Sequence, residues 1–430
     1  MKHRFSGLPL LSRRFTALLF ALLFRLVQPP RAAAENKVEY RYEDYNEDNG
    51  RMHIRTHAVG FEQELNAKVT AKGLLVYDGI SGATPTGELP ALGSSQVPLA
   101  NVTDIRRALS LDLAIRYNKR GTLTPQFSYS QESDYASRGV SLAHAYDFND
   151  KNTTLLLGAA HNFDSVGGGV LTEFQRKDTT DFLVGVNQLL SPETVLSVNL
   201  TLGYSDGYLN DPYRRVTFYL PDSPDSIFSD PASVNAAAET RPRHRFKQVG
   251  YVSLTQFITR LNASVEGSYR PYHDDWGIWS HTLALQWNQQ LGSRVTLSPL
   301  FRFYHQSAAD FYATSFRGVS FDTYAKGTQV AFQDGSFVGF QDDPSFPAPG
   351  QQAGFQILNV PARPAYYSTD YRLSEFNAFT FGASAQIKIC EHFTLDLAYK
   401  RYEMHGLDGV TPRSAYPSAH IFTIGCGVWF

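Results

Sequence analysis

The sequence predicts an all-β chain: a transmembrane antiparallel up-and-down β-barrel of about 16 strands, with short periplasmic turns and long outer loops. Three observations carry that expectation. Beyond residue 35, apolar and polar residues alternate with period two over segments of roughly 10 to 15 residues, the length a tilted strand needs to cross a bilayer. The connections between those segments fall into a short class and a long class that alternate along the chain. The first 34 residues have the layout of an export signal.

Composition excludes the main competitors. No apolar run approaches the roughly 20 residues a membrane helix requires, and 30 Phe, 24 Tyr and 4 Trp are far more aromatics than a disordered chain carries. Two cysteines build neither a disulfide scaffold nor a Cys-rich zinc module. Residues 1–34 read as a secretory signal peptide, and residues 35–430 as one outer-membrane barrel domain. Lys2, Arg4, Arg13 and Arg14 form the basic head, Phe15–Phe24 the apolar core, and Ala32, Ala33 and Ala34 the small residues before cleavage. Removing the signal leaves 33 basic against 41 acidic residues, a net charge of −8. A chain so acidic is not built to grip nucleic acid.

The strands follow in order. The expected segments are 36–46, 51–63, 66–78, 105–118, 121–132, 138–149, 152–163 and 177–190 in the first half. The second half gives 194–206, 243–258, 262–272, 276–290, 293–308, 372–389, 392–404 and 418–430. Leu109, Leu111, Leu113, Ile115 and Tyr117 alternate with Ser110, Asp112, Ala114 and Arg116. Leu196, Val198, Leu200, Leu202 and Tyr204 alternate with Ser197, Asn199, Thr201 and Gly203. Successive strand side chains point to opposite faces, so each segment has one oily wall and one wet wall. Every even-numbered strand ends in a brief turn, while the long links (79–104, 164–176, 207–242 and 309–371) all follow odd-numbered strands. The cylinder must close, because an open edge in hydrocarbon leaves N–H and C=O groups unpaired. The last strand stops on Phe430, similar to the insertion signal of bacterial outer-membrane barrels, which implies the barrel-assembly machinery as a partner during insertion.

Aromatics near strand ends suit interfacial girdles: Tyr40, Tyr42, Phe61, Tyr77, Tyr129, Tyr146, Phe163, Tyr204, Tyr251, Trp276, Trp279, Trp287, Phe303 and Tyr399. Thr122–Tyr129 and Thr296–Phe303 echo one another, each with a proline inside the strand, Pro125 and Pro299. Proline removes a ladder donor, so both mark a bulge or a rim position.

Parity also sorts the charges. Asp112, Arg116 and Arg302 fall on the lumenal side of their strands, and Arg241, Arg243, Arg245 and Lys247 stand two apart, so on one strand all four share a face. Lipid would be costly for such a row, which therefore faces the lumen or the outer rim. Two accounts stay open: the charges pair with acids across the wall, or they form a constriction favouring anionic solutes. Asp78, Ser81 and Gly82 read as turn formers at the base of an outer loop, as an entrance lip or a docking surface. Asn210 and Asp211 open the long fifth outer loop. Asp274 and Asp275 read as a tight hairpin with carboxylates accepting backbone N–H groups, rather than as metal ligands with His273, His281 and His305. No metal, cofactor or catalytic residue is expected: there is no G-x-S-x-G elbow, H-E-x-x-H or Walker loop. Cys390 and Cys426 are expected to stay unpaired.

Seven segments resemble one family. They are Tyr77–Pro85, Leu190–Thr194, Gly207–Arg214, Glu239–Pro242, Tyr272–Thr282, Phe303–Tyr312 and Ser368–Ser374, in an order and spacing similar to the outer-membrane β-barrel family catalogued as domain of unknown function DUF3570. The resemblance spans roughly residues 36 to 430. It implies a fold and a place in the bacterial outer membrane and lends no activity. The residues themselves point to a porin-like channel for small polar solutes, its mouth narrowed by the 207–242 and 309–371 loops. The alternative is a loop-plugged barrel that serves as an accessory or docking component of an envelope export or assembly system, engaging an envelope partner protein. Outer-membrane lipid is the partner common to both.

Overall fold

The computed structural model describes residues 36–219, 235–318, 324 and 326–430; the expected export signal, residues 1–34, lies outside the described residues. The barrel starts with β1 (Lys37–Glu47), β2 (His53–Asn66), β3 (Val69–Pro85), β4 (Leu99–Arg116), β5 (Gly121–Gln131) and β6 (Tyr135–Phe148). It continues with β7 (Thr153–Val166), β8 (Gln175–Ser191) and β9 (Thr194–Gly207). A loop hairpin, β10 (Arg215–Tyr219) and β11 (Asn235–Ala238), precedes β12 (His244–Ile258), β13 (Ala263–Asp274), β14 (Trp279–Leu291) and β15 (Val295–Gln306). The next loop holds β16 (Phe316–Arg317), β17 (Thr328–Gln333), β18 (Ser336–Phe340) and β19 (Gln356–Val360), before β20 (Phe376–Cys390), β21 (Phe393–Gly406) and β22 (Ser418–Trp429).

Sixteen of these strands form one closed antiparallel barrel, in chain order from β1 to β9, then β12 to β15, then β20 to β22. The expected count and alternation of loops are both met. β22 closes onto β1, and at that seam Asn36 and Phe430 exchange both backbone hydrogen bonds at 3.0 Å. Among the described residues, the segment 309–371 adds no strand to the wall. Instead β17, β18 and β19 form a separate three-stranded sheet around Val330, Phe332 and Val360, while β10, β11 and β16 form another.

The expected outer-loop position of Asp78, Ser81 and Gly82 is corrected. They are not loop residues: β3 runs on to Pro85, in unbroken register with β4 (Asp78↔Arg106, Ser81↔Thr103, Gly82↔Val102). Gly82 read as a turn former because glycine usually marks a turn. Here it serves a close approach: its φ is +132°, and a Cβ would lie 1.9 Å from the Arg51 carbonyl oxygen.

The period-two pattern becomes two surfaces. Leu111, Leu113, Val140, Leu142, Leu157, Phe182, Val184, Leu200, Leu202, Leu283, Leu285 and Phe381 point outward and are among the exposed large apolar residues. Their neighbours on the inner face are small or polar: Ser110, Ser141, Ala143, Gly158, Ala160, Gly185, Asn199 and Thr201. An apolar exterior around a polar bore is the arrangement of a bilayer-spanning barrel. Leu200→Arg, at the middle of β9, should therefore lower folding stability in lipid vesicles by about 2–4 kcal/mol. Thr201→Arg, one residue on and facing the bore, should leave it nearly unchanged; equal effects would contradict the two-faced assignment.

Most expected girdle aromatics do face outward. Three hairpins repeat one device there, a tyrosine hydroxyl bonded to the histidine Nδ1 diagonally opposite: Tyr40–His57 at 2.9 Å, Tyr269–His281 at 2.7 Å and Tyr399–His420 at 2.7 Å. Tyr251 and Trp276 are corrections. Tyr251 faces inward opposite Asn199, and Trp276 is buried with Ile278, Ala309 and Leu373 under the long loops. Pro125 and Pro299 each sit where the ladder to the preceding strand is interrupted, between Asp112↔Gln126 and Ile115↔Leu123, and between Gln286↔Leu300 and Gln289↔Leu297. The missing proline N–H explains both gaps. Cys390 and Cys426 are free.

Candidate functional site

The short-turn end of the barrel carries only tight turns; the other end carries a cap. The β3–β4 link donates and receives across the mouth. Arg215 N–H donates to the Thr86 carbonyl at 2.9 Å, Thr369 Oγ1 donates to the Arg215 carbonyl at 2.9 Å, and Val97 N–H donates to Ser414 Oγ at 3.1 Å. Arg51, from the β1–β2 turn, donates to the Ser414 and Ala415 carbonyls at 2.9 and 3.0 Å. Since β3 and β9 stand six strands apart on a sixteen-strand ring, contact between their loops places the cap over the bore.

An ionic knot, largely buried with Arg372 exposed at its edge, fastens the cap. Asp370 caps a single 3-10 turn, Tyr371–Leu373, by accepting the Arg372 N–H at 3.1 Å. Its carboxylate also accepts from Arg372 Nε (2.9 Å to each oxygen) and Arg241 Nη2 (2.8 Å), with Arg214 Nε 3.8 Å away. Glu239 pairs with Arg241 Nε at 2.7 Å and accepts from Ser368 Oγ at 2.5 Å. Asp211 takes Arg372 Nη2 at 2.5 Å and Arg214 Nε at 3.3 Å. Three carboxylates thus neutralise three guanidinium groups contributed by two loops far apart in sequence. Burial alone would raise the pKa of Asp370, but Arg372, Arg214 and Arg241 outweigh it and hold the carboxyl well below the usual carboxylate range. For Glu239 burial wins over Arg241 and pushes the pKa up.

Between the cap and the β6–β12 side of the wall lies a cleft of about 590 Å³. Its floor is the bore-facing side of three strands, Lys177 and Thr179 of β8, Ser205 of β9, and Arg245 and Lys247 of β12. The cap contributes Tyr208, Asn210, Asp211, Tyr213, Arg241, Trp276 and Arg372, and the β5–β6 turn adds Glu132 and Asp134. Arg245 is held by Asp274, which accepts from its Nε at 2.8 Å, and its guanidinium lies 4.2 Å from the Trp276 ring centre. Asp274 also accepts Tyr272 Oη (2.5 Å) and the N–H groups of Trp276 (3.0 Å) and Ile278 (3.1 Å). Burial, then Asp134, pushes the Tyr213 hydroxyl up to about 12.

The expected site residues divide. Arg245 and Lys247 share a bore-facing strand edge, as parity required. Arg241 and Arg243 do not continue that row, because β12 begins at His244. Arg241 turns into the knot, while Arg243 is exposed. Asp112 and Arg302 face the bore, the first accepting from Gln126 Nε2 at 2.8 Å, the second 5.7 Å from the Tyr304 ring centre. Arg116 ends β4 at the short-turn rim, exposed. Asp78, nearly buried, pairs with Arg106 Nε at 2.5 Å. Asn210 Oδ1 accepts the Arg241 N–H at 2.7 Å, so Asn210 and Asp211 belong to the base of the cap. The Asp274–Asp275 hairpin forms as expected, with Asp275 Oδ1 accepting the Phe246 N–H at 2.9 Å. His281 and His305 point outward, away from Asp274.

Glu239, Asp370, Arg214 and Arg372 were not among the expected site residues. Three of the motif segments, Gly207–Arg214, Glu239–Pro242 and Ser368–Ser374, contain all four, but nothing in one sequence shows that the segments meet. An acidic cluster also emerges on the rim, where carboxylate oxygens of Asp104, Glu132 and Asp134 lie within 4.8 Å of one another.

A family model described as "Protein of unknown function (DUF3570)" matches residues 22–411. No curated protein matches the chain. Among solved structures it is similar to the siderophore receptor PirA from Pseudomonas aeruginosa at 9% identity, with 94% of this chain and 81% of that one covered and a TM-score of 0.36. It is also similar to a bacterial polysaccharide outer membrane secretin (8% identity, 94% and 100% covered, TM-score 0.44). A third similarity is to a loop-deleted OmpT, an outer membrane protein of Vibrio cholerae (8% identity, 93% and 99% covered, TM-score 0.40).

Proposed function

The chain belongs to the DUF3570 family, and on that premise we propose that it is a porin-like channel of the bacterial outer membrane, passing small polar solutes. The long-loop end faces outward and the tight turns face the periplasm, as in other membrane barrels. The observation that carries the reading is the cleft. The cap covers the mouth but leaves about 590 Å³ open against one wall, and the floor of that opening is the bore-facing surface of β8, β9 and β12. A solute entering there meets lumenal side chains at once. Below it, the inner faces of β7, β8 and β9 include the small residues Gly158, Ala160, Gly185 and Thr201. A sixteen-strand cylinder is wide enough for an aqueous path unless loops fill it.

Purified full-length chain in a planar bilayer should give discrete conductance steps, larger after deletion of 309–371. The second reading, a plugged barrel acting as a docking component, is favoured by one feature, the ion-pinned cap with its separate β17–β18–β19 sheet. Silence from both the intact and the deleted chain would remove the channel and leave the docking role.

A further inference from the structure

Resting on the channel reading, we propose that the cleft is a binding site for small carboxylate anions, with Lys247 as the group that takes the charge. Three cations line the floor, and two are already answered. Arg245 is bound by Asp274 and covered by Trp276. Lys177 Nζ lies 3.2 Å from Asp164 and 5.5 Å from the Tyr135 ring centre. Lys247 differs: its acid partner among the described residues is Asp181, at 4.0 Å, beyond hydrogen-bond distance. Its side chain is only 26% exposed. An ammonium withdrawn from water without a bonded counter-ion is unfavourable, and an incoming carboxylate relieves that cost.

The position is built, not incidental. Lys247, Gly203 and Asp181 stand in register across β12, β9 and β8. A Cβ on Gly203 would lie 3.0 Å from Lys247 Cε and 2.3 Å from Asp181 Oδ1, so the glycine lets the lysine chain lie across β9 towards the cleft. Trp276 and Tyr208 give an apolar body a surface to rest on. Glu132 and Asp134 hold the opposite lip acidic, which orients the carboxylate towards the floor.

The test is a fluorescence titration of the full chain in detergent with succinate, at constant ionic strength, with putrescine and 1,4-butanediol as the cationic and uncharged probes. Saturable quenching is expected with succinate alone and should vanish in Trp276→Phe. Lys247→Met should weaken apparent affinity at least tenfold, and Gly203→Ala, which displaces the lysine, should weaken it too. Lys400→Met, another bore-facing lysine, should bind as the parent does. Equal binding of putrescine, no succinate response, or parental affinity in Lys247→Met would each overturn the assignment; should Lys247→Met fail to fold, Gly203→Ala decides. Binding is read without conductance, so a barrel silent in bilayers that still binds succinate keeps this site and loses the channel reading.

Discussion

Asp370→Ala is expected to release the cap while leaving the barrel closed. The carboxylate is 1% exposed and receives Arg241 and Arg372, with Arg214 close by. Removing it leaves buried guanidinium charge uncompensated, a defect that typically costs about 3–5 kcal/mol. That cost falls on the cap alone, because the barrel strands are held by their own ladders. Limited trypsin digestion should therefore cut at Arg214 or Arg372 in the variant and spare them in the parent, with the barrel still resistant; Arg241 is followed by Pro242 and gives no tryptic site. In a bilayer the variant's conductance should approach that of the 309–371 deletion. A protected cap in Asp370→Ala would show that the knot does not fasten it.

Acid should do less than the mutation. The folded pKa of Asp370 is depressed, so its contribution is present above the ordinary value of 3.8 and is lost only as pH falls through the lower folded value. Glu239 has the opposite sign. Its folded pKa is raised above 4.5, so its contribution is full below that value and declines as pH rises through the folded one. Between neutrality and pH 4 the two shifts give no loss of cap stability, and trypsin protection should persist across that window.

Asp274→Ala is expected to be comparably damaging, for a different reason. Its carboxylate is fully buried and satisfies the Trp276 and Ile278 N–H groups together with Arg245. Alanine orphans two buried donors, each costing about 1–3 kcal/mol, and strands the Arg245 charge beside Trp276. Thermal unfolding monitored by Trp fluorescence should show a loss of roughly 3–5 kcal/mol. The double variant Arg245→Met/Asp274→Ala should recover part of it, since removing both charges deletes the electrostatic conflict. Strict additivity of the two single losses would mean the pair is not coupled. Arg245 is thus a structural charge, and neutralising it or the exposed Arg243 does not test lumenal selectivity cleanly; Lys247 does.

How much of this was legible beforehand depended on the range of the interaction. Strand existence, number and facing follow from period-two alternation, a local property, so Leu200, Thr201, Asp112 and Arg302 were assigned to the correct faces from their neighbours alone. Arg245 and Lys247 share one face of β12 for the same reason. Arg241 and Arg243 do not join that row, because parity holds only within a strand and β12 starts after them. Asp78, Ser81 and Gly82 read as loop residues from sequence because glycine marks both turns and close approaches, and only the neighbouring Arg51 backbone distinguishes the two.

The one-dimensional pattern, then, determined a sealed cylinder with an apolar outside, since alternation and turn spacing are written residue by residue and lipid penalises any other facing. The tertiary structure alone decided what covers the mouth. Asp370 meets Arg241 across 129 positions, Arg51 meets Ser414 across 363, and Lys247 reaches the cleft past a glycine on another strand. Such meetings depend on which strands curl round to face one another, and that is fixed only when the ring closes.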